Sequence, residues 1–563
     1  MEGGIEGIAD LVRNLDITGD TFENRGQERK RSTHNHLVTL QTTVDKLIRL
    51  TSTITLQAQS INSLSNDANS SGVLSEAYSL HEGIKKLTSI THNLQTTVET
   101  LTEATERSVI RRLKTYGSHT GTICELLLHF DDQIKGIVRE VLNHTNGREV
   151  LWKVAEECFN QATRLSGNLD ANDYFDPLEE SRLQWPYDPD FESEEYYEHE
   201  NRLSVDEDYA AAFKDQISRR FDARSKDRQS WPDFWITVLT KVPHGPTLFY
   251  PPASLCMQSL NLDAEPPYLF RTFDEVSSGR NDDSVVASTA SVFSPQDSSR
   301  TDLLGLERHR ATELLHQHLT KSCFHGKVSD NLMSWSSSLL FTVQYAIWRA
   351  RIRKCPRSDI KICIVDTRKF PKGQFVQDLW LIRAYYATAA DIGGETQRFF
   401  RFRLENENFY NGEYLSQGEV NHGGRSCVIS LKQLLDAGLS QLYPEFEEPR
   451  GSEKWPHRVM ELRQSWSAEQ VTTDREIQLA FGVARKCFAE FEPSEIAPIL
   501  LTFKNRNSLS GLKPADQFDN QRPKWADKPD EVRRYWMATQ SYNEHPNAQI
   551  NRLLLNIHAQ PSA

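Results

Sequence analysis

Between residues 36 and 115 the hydrophobic positions step alternately by three and four. Leu37, Leu40, Val44, Leu47, Thr51, Ile54, Ala58 and Ile61 form one run; Leu80, Ile84, Leu87, Thr91, Leu94, Val98 and Leu101 form a second. This spacing places each set on one stripe of an α-helix, in the manner of an a/d seam. The break between them, NDANSSG, consists of turn residues, so the pattern predicts two amphipathic arms folded into an antiparallel hairpin. Thr and Ala on the seam weaken it as a zipper and suit it to a bundle. The pentapeptide LQTTV stands in both arms, at 40–44 and 94–98, and a Thr-rich helix produces such a match by chance more readily than by duplication. Helical patterns continue over 122–144 and 148–165, which defines an α-helical, coiled-coil-like domain over 1–167 with four helices.

The periodicity then lapses. Residues 168–208, including DPDFESEEYYEHENRLSVDED, are acidic and punctuated by proline, and are expected to form a disordered linker. A connecting aromatic-rich segment comes next at 209–265, with a short helix near 208–222. The Trp and Phe of SWPDFWITVLTKVP are expected to pack onto the domain after it. From 266 to 445 strand and helix signals alternate. PYLFRTF, NLMSW, residues 413–420 and SCVIS read as strands, and DIKICIVDT, apolar on both faces, reads as a central one. Helices are expected over 302–320 and 338–353. Residues 446–563 read as a helical C-terminal extension with a disordered tail; Trp455, Val459, Leu462 and Trp466 share a face, and Thr473 with Glu476 forms a capping box. The fold class is multidomain: an α-helical N-terminal domain plus an α+β domain.

Bulk properties narrow the function. A chain of 563 residues exceeds one core. Its net charge of −13 argues against general nucleic-acid binding, which needs a basic field. The eight cysteines are scattered singly, a pattern of reducing compartments. No basic start precedes an apolar run at the N-terminus, and the most apolar stretch, Leu339–Trp348, is short and contains Gln344. The expectation is a cytoplasmic or nuclear protein with no membrane partner. RGQERKR reads as a solvated basic bump rather than a nuclear address. The N-terminal helices are the expected surface for a protein partner or a second copy of the chain.

Three polar features then line up along the α+β domain. Arg271 lies in the first strand; Ser334 and Ser336 flank Trp335 at the end of the second, just before a helix; Glu413 opens a later strand in FYNGEYLSQGEV. With these residues the chain resembles the ADP-ribosyltransferase-like superfamily, whose toxin-type members carry an Arg, a Ser-x-Ser and a Glu in this order. More narrowly, FYNGEYLSQGEV…GRSCVIS…DAGL with LMSWSSSLLFTVQYA is similar to an uncharacterised domain common in fungal proteins, over about 265–445. The resemblance implies NAD as a substrate, with Glu413 catalytic and Arg271, Ser334, Ser336, Asn411 and Tyr410 binding the dinucleotide.

The chemistry of that reaction has modest needs. Cleaving the nicotinamide–ribose bond passes through a ribosyl cation, which a carboxylate can offset while holding the ribose hydroxyls. A guanidinium suits the diphosphate, because its planar fork donates twice to phosphate oxygens. Tyr410, Phe409 and Tyr345 are equal candidates to stack on the nicotinamide ring. Two features depart from the family pattern. Asn411 stands where a Gln or Glu often directs the acceptor, so transfer to arginine is not implied. Trp335 replaces the commoner Thr, and its indole either fills the nicotinamide side or blocks it.

Plainer readings exist for each residue. Glu413 fits a solvent-facing strand position, Arg271 can pair with Asp274 or Glu275, and Ser336, Ser337 or Ser338 can cap the next helix. His309, His316, His318, Cys323 and His325 cluster in sequence but lack ligand spacing for zinc, so no metal is expected. The non-catalytic alternative is an interaction protein whose α+β domain serves as a binding module.

Overall fold

The computed structural model describes residues 23–64, 71–145, 149–164, 166–182, 194–250, 265–293, 300–320, 330–447, 455–506 and 528–544. The chain divides into two compact units, 1–243 and 244–563.

The first unit is α-helical. The two arms form helices Glu23–Leu64 and Ser71–Tyr116. Gln57 Nε2 donates to Ser79 Oγ at 2.7 Å, and Ile54 packs beside Gly83, so rising numbers on one arm meet falling numbers on the other and the pair is antiparallel. Thr51 and Thr91, expected on the seam, are exposed together with Ile84 and Val98, and their hydroxyls donate to carbonyls four residues back; the partly buried stripe keeps Leu47, Ile54, Leu87 and Leu94. The helix expected over 122–144 is two, Gly121–His129 and Asp131–His144, parted at the non-helical Phe130; Val150–Thr163 comes after them.

The expected linker at 168–208 is a correction. It carries helices Asn172–Arg182 and Glu194–Val205; residues 183–193 lie outside the described set. Tertiary contacts compensate for the acidic composition. Arg228 pairs with Asp176 at 2.6 Å, His199 Nδ1 meets Tyr209 Oη at 2.7 Å, and the Arg202 guanidinium lies 4.4 Å from the Tyr209 ring centroid.

Those partners belong to a helix, Glu207–Lys241, much longer than the short one expected. Asp206 starts it by accepting from Tyr209 N. Its Trp231, Phe234 and Trp235 are fully buried within this unit, a second correction. Trp231 stacks on Phe130 with centroids 5.7 Å apart and donates Nε1 to Leu169 O at 2.9 Å. The aromatic segment therefore completes the core of the helical unit itself, and that unit ends at Pro243 rather than at 167.

The second unit is α+β. Strands β1 (Tyr268–Phe273), β4 (Leu332–Ser336), β5 (Lys361–Asp366), β6 (Val376–Gln377), β7 (Glu413–Gln417) and β9 (Ser426–Ser430) form an antiparallel sheet of order β6-β7-β4-β1-β5-β9. A smaller sheet holds β2 (Arg280–Asn281), β3 (Val285–Ala287) and β8 (Glu419–Asn421). The strand expected over 413–420 is divided between the two sheets at Gly418. A Cβ there would sit 2.6 Å from Thr247 Oγ1, and φ is +67°.

Alternation along the strands decides which layer each side chain enters. Tyr268, Phe270, Ile362, Ile364 and Ile429 join a core with the helices Leu339–Ile352, Asp474–Cys487 and Pro493–Leu501. Leu269, Phe273, Trp335, Cys363 and Val365 face the other way, onto Val286 and Val420 of the small sheet. The capping box at Thr473 and Glu476 forms as the sequence predicts. The region read as an extension, however, supplies much of the principal core, with Leu462, Trp466, Phe481 and Leu500 buried in it. The tail beyond 544 lies outside the described residues.

Candidate functional site

β7, β4 and β1 are consecutive neighbours, so the three strands carrying the polar features lie side by side. Phe270 is in register with Ser336, and Ser336 with Glu413. Residues abreast on antiparallel strands share a face, so Ser334, Ser336 and Glu413 emerge together on the helix-covered side. Arg271 emerges on the opposite side with Trp335; its Cζ lies 5.9 Å from the indole centroid. Pleat parity thus unites the serines with the acid and separates the arginine from them.

β1 and β4 are in ladder register at one pair only, Phe270 with Ser336. Beyond it Arg271 spans the opening, donating Nη1 to Ser334 O at 2.7 Å and Nε to Asn281 Oδ1 at 3.1 Å. A cavity of about 1100 Å³ reaches this opening, lined by Arg271 as well as by Ser334, Ser336 and Glu413. Arg271 makes no ion pair among the described residues, because Asp274 is bound by Arg349 in a buried pair instead. Burial pushes the Arg271 guanidinium down to about 10. A desolvated cation with no carboxylate partner among the described residues is chemically suited to an anion.

Trp335 does not plug the acid side. It is buried, donates Nε1 to Ser416 Oγ at 2.8 Å, and meets the Phe375 ring edge-on at 5.5 Å. The indole is a floor beside Arg271.

Glu413 is held in place. Arg403 Nη2 donates to Glu413 Oε2 at 3.1 Å and also binds the buried Asp378 carboxylate. Burial, with the Glu413 charge nearby, raises Asp378 to about 6 although Arg403 opposes the shift. The residue before the acid, Gly412, has φ +63°, and a Cβ there would lie 2.1 Å from Ser337 Oγ. Any other residue in that turn, which delivers the chain into β7, would be strained by the positive φ and crowded by Ser337 and Pro529.

The serines are committed in different ways. Ser338 caps helix Leu339–Ile352 by accepting from Phe341 N at 3.0 Å. Ser336 Oγ donates to Asn411 O at 2.7 Å and accepts from Ser338 N at 3.0 Å, so it fastens the loop before Glu413. Ser334 points to His318: Oγ and Nε2 are 2.9 Å apart, while His318 Nδ1 lies 2.7 Å from Asp330 Oδ2. Helix Arg308–Leu319 places His318 near its end, and Asp330 stands two residues ahead of β4.

Tyr410 is less free than the stacking role requires. It is buried, and its hydroxyl accepts from Gln377 Nε2 at 2.9 Å. Asn411 lines the cavity and contributes its carbonyl to Ser336. Tyr345, by contrast, belongs to an aromatic wall: it stacks on Trp348 at 5.9 Å and lies 5.1 Å from Trp455, all three lining the cavity. The cavity wall also includes Phe409, which packs on Phe402.

Sequence reasoning missed His318 with Asp330, Arg403 with Asp378, and Trp348 with Trp455. Tyr345 and Trp348, three apart on one helix, carried a detectable signal. The others meet only through the fold. No group of metal-holding residues occurs among the described residues, and Cys323 and His325 lie outside them. His316 Nδ1 faces Thr396 Oγ1 at 3.2 Å, away from the partners of His318. No helix among the described residues is long and apolar enough to cross a membrane.

Residues 264–432 match a protein family described as a domain of unknown function (DUF7587). The matched span contains β1 to β9, and with them Arg271, His318, Asp330, Ser334, Ser336 and Glu413. No curated protein and no solved structure matches the chain.

Proposed function

We propose that the second unit binds NAD and cleaves its nicotinamide–ribose bond, as a mono-ADP-ribosyltransferase or NAD glycohydrolase. The observation that carries this reading is that three adjacent strands bring Arg271, Ser334, Ser336 and Glu413 to the walls of one cavity of about 1100 Å³. That volume accommodates a dinucleotide, being at the upper end of small-molecule clefts. Arg271, with no carboxylate partner among the described residues, receives the diphosphate. Glu413, fixed by Arg403, offsets the charge that develops at the anomeric carbon. Tyr345, Trp348 and Trp455 offer flat surfaces for a heteroaromatic ring.

Nicotinamide release from NAD, compared between the full chain and Glu413→Gln, tests the reading. Loss of the carboxylate is expected to lower the rate by about 10²-fold or more. Arg271→Ala is expected to weaken ADP-ribose binding by about ten-fold or more, the loss of charge-assisted hydrogen bonds. No release by the wild type, or equal release by both, overturns the catalytic reading.

A second reading rests on the commitments of the polar groups. Glu413 is already ion-paired, and the Ser336 hydroxyl already holds Asn411 O. A module that grips an ADP-ribosyl group without turnover uses the same cavity, and is distinguished by ADP-ribose binding in the absence of nicotinamide release.

A further inference from the structure

Among the polar groups on the cavity wall, one set is arranged for proton transfer. Asp330 Oδ2 lies 2.7 Å from His318 Nδ1, and His318 Nε2 lies 2.9 Å from Ser334 Oγ. His318 and Asp330 are buried, at 2 % and 9 % exposure, whereas Ser334 is half-buried, and all three line the cavity. The polarity of the chain is set by the donor inventory. A carboxylate only accepts, so the imidazole Nδ1 carries a proton toward Asp330. In the neutral ring Nε2 is then an acceptor, and the Ser334 hydroxyl must donate to it. This is a nucleophile, a base and a group that orients the base, within hydrogen-bond reach of one another.

The electrophile can be chosen from the surroundings. Acyl transfer needs preorganised donors aimed at an oxyanion. The cation nearest β4, Arg271, spends Nη1 on the Ser334 carbonyl and emerges on the other face of the sheet. A ribosyl cation needs no oxyanion hole; it needs negative charge nearby and a nucleophile that can lose its proton. Glu413 stands abreast of Ser336, and Ser334 lies two residues along on the same face.

We propose that Ser334, with His318 as its base and Asp330 as the positioning residue, captures the ribosyl cation to give ADP-ribosyl–Ser334. The inference rests on the NAD reading above and names the acceptor in that reaction. The bond from the anomeric carbon to the nicotinamide nitrogen breaks, and its electron pair leaves with nicotinamide. The Ser334 oxygen supplies the pair for the new carbon–oxygen bond, and its proton passes to His318 Nε2, where Asp330 steadies the imidazolium. NAD and serine thus become an O-glycoside, nicotinamide and one proton. The serine alkoxide is a poor leaving group, so the adduct accumulates.

The test is intact-mass and peptide mass spectrometry of the full chain after incubation with NAD, with nicotinamide measured in the same tubes. The expected result is a gain of one ADP-ribose unit located at Ser334, lost in Ser334→Ala. Its rate of formation is expected to fall by about 10²–10⁴-fold in His318→Asn and Asp330→Asn, the range of general-base contributions. Thermal transitions and ADP-ribose binding of each variant separate a chemical effect from misfolding. If His318→Asn fails to fold, Asp330→Asn, which keeps the size of the side chain but disturbs the tautomer, carries the comparison. Nicotinamide release without an adduct at Ser334 overturns this inference and leaves the NAD reading standing. Undiminished adduct formation in a folded Asp330→Asn overturns the relay. No nicotinamide release overturns the NAD reading, and this inference with it.

Discussion

Arg403 is shared by two carboxylates: its Nη2 lies 3.1 Å from Glu413 Oε2 and also binds Asp378, which is fully buried. One cation therefore holds the candidate acid at the end of β7 and neutralises a charge beneath it. Replacing Arg403 by Met leaves Asp378 uncompensated, and is expected to cost about 3–5 kcal/mol. Adding Asp378→Asn should restore part of that loss. Urea denaturation midpoints of the single and double variants check the coupling; strict additivity would refute it.

The loop before Glu413 is clamped from far along the chain. Glu531 accepts from Arg463 Nη2 at 2.8 Å and Nε at 3.0 Å and also binds Ser338 Oγ, while Arg463 Nη1 donates to Tyr410 O at 2.9 Å. Burial alone would raise the Glu531 carboxyl, but Arg463 and Ser338 hold it below its ordinary value. Glu531→Ala should destabilise the unit by about 3–5 kcal/mol. Amide exchange at 409–413 should accelerate more than in helix Arg308–Leu319, as read by hydrogen exchange. Equal acceleration in both segments would show global destabilisation instead of a local clamp.

Two glycines with positive φ separate crowding from backbone strain. Gly412 (φ +63°) has Ser337 Oγ at 2.1 Å from a built Cβ, whereas Gly424 (φ +75°) has nothing within 4 Å. Gly424→Ala should cost about 1 kcal/mol from backbone strain alone, and Gly412→Ala about 2–3 kcal/mol or more. Equal losses for the two variants in thermal unfolding would refute the close packing before Glu413.

Stability should respond to pH through His422, in the turn between β8 and β9. Burial, outweighing the nearby Asp282 and Asp283, lowers it from 6.5 to about 4, and its Nε2 has no hydrogen-bond partner among the described residues. The unfolded chain then binds more protons than the folded one between about pH 4 and 6.5, so stability rises with pH across that window and is lost as pH falls through it. The full shift corresponds to about 3 kcal/mol at most. Asp302 and Asp378, both raised to about 6 by burial, act in the opposite sense. The contribution of His422 is therefore read as the difference between wild type and His422→Gln, at pH 7 and pH 5. A variant with the same pH dependence as the wild type would refute it.

Much of the local structure was legible. The three-and-four spacing located the two arms, Thr473 and Glu476 marked a helix start, and the doubly apolar DIKICIVDT marked an inner strand. The errors arose where long-range contacts outweigh composition. Within the acidic stretch Asn172–Arg182 and Glu194–Val205 are helical, and Arg228 and Tyr209 meet them from the next helix. The C-terminal helices are core because Ile362, Ile364 and Ile429 face them.

For the candidate site, the sequence determined residue types and order: an arginine, two serines and a glutamate on separate strands, with a glycine ahead of the last. Tertiary structure alone decided that those strands are neighbours, that Arg271 leaves the opposite face from Glu413, and that His318 and Asp330 reach Ser334. The physical reason is that pleat and period act over a few residues, whereas strand order and ion pairing are settled only when distant segments compete to cover the same apolar surface.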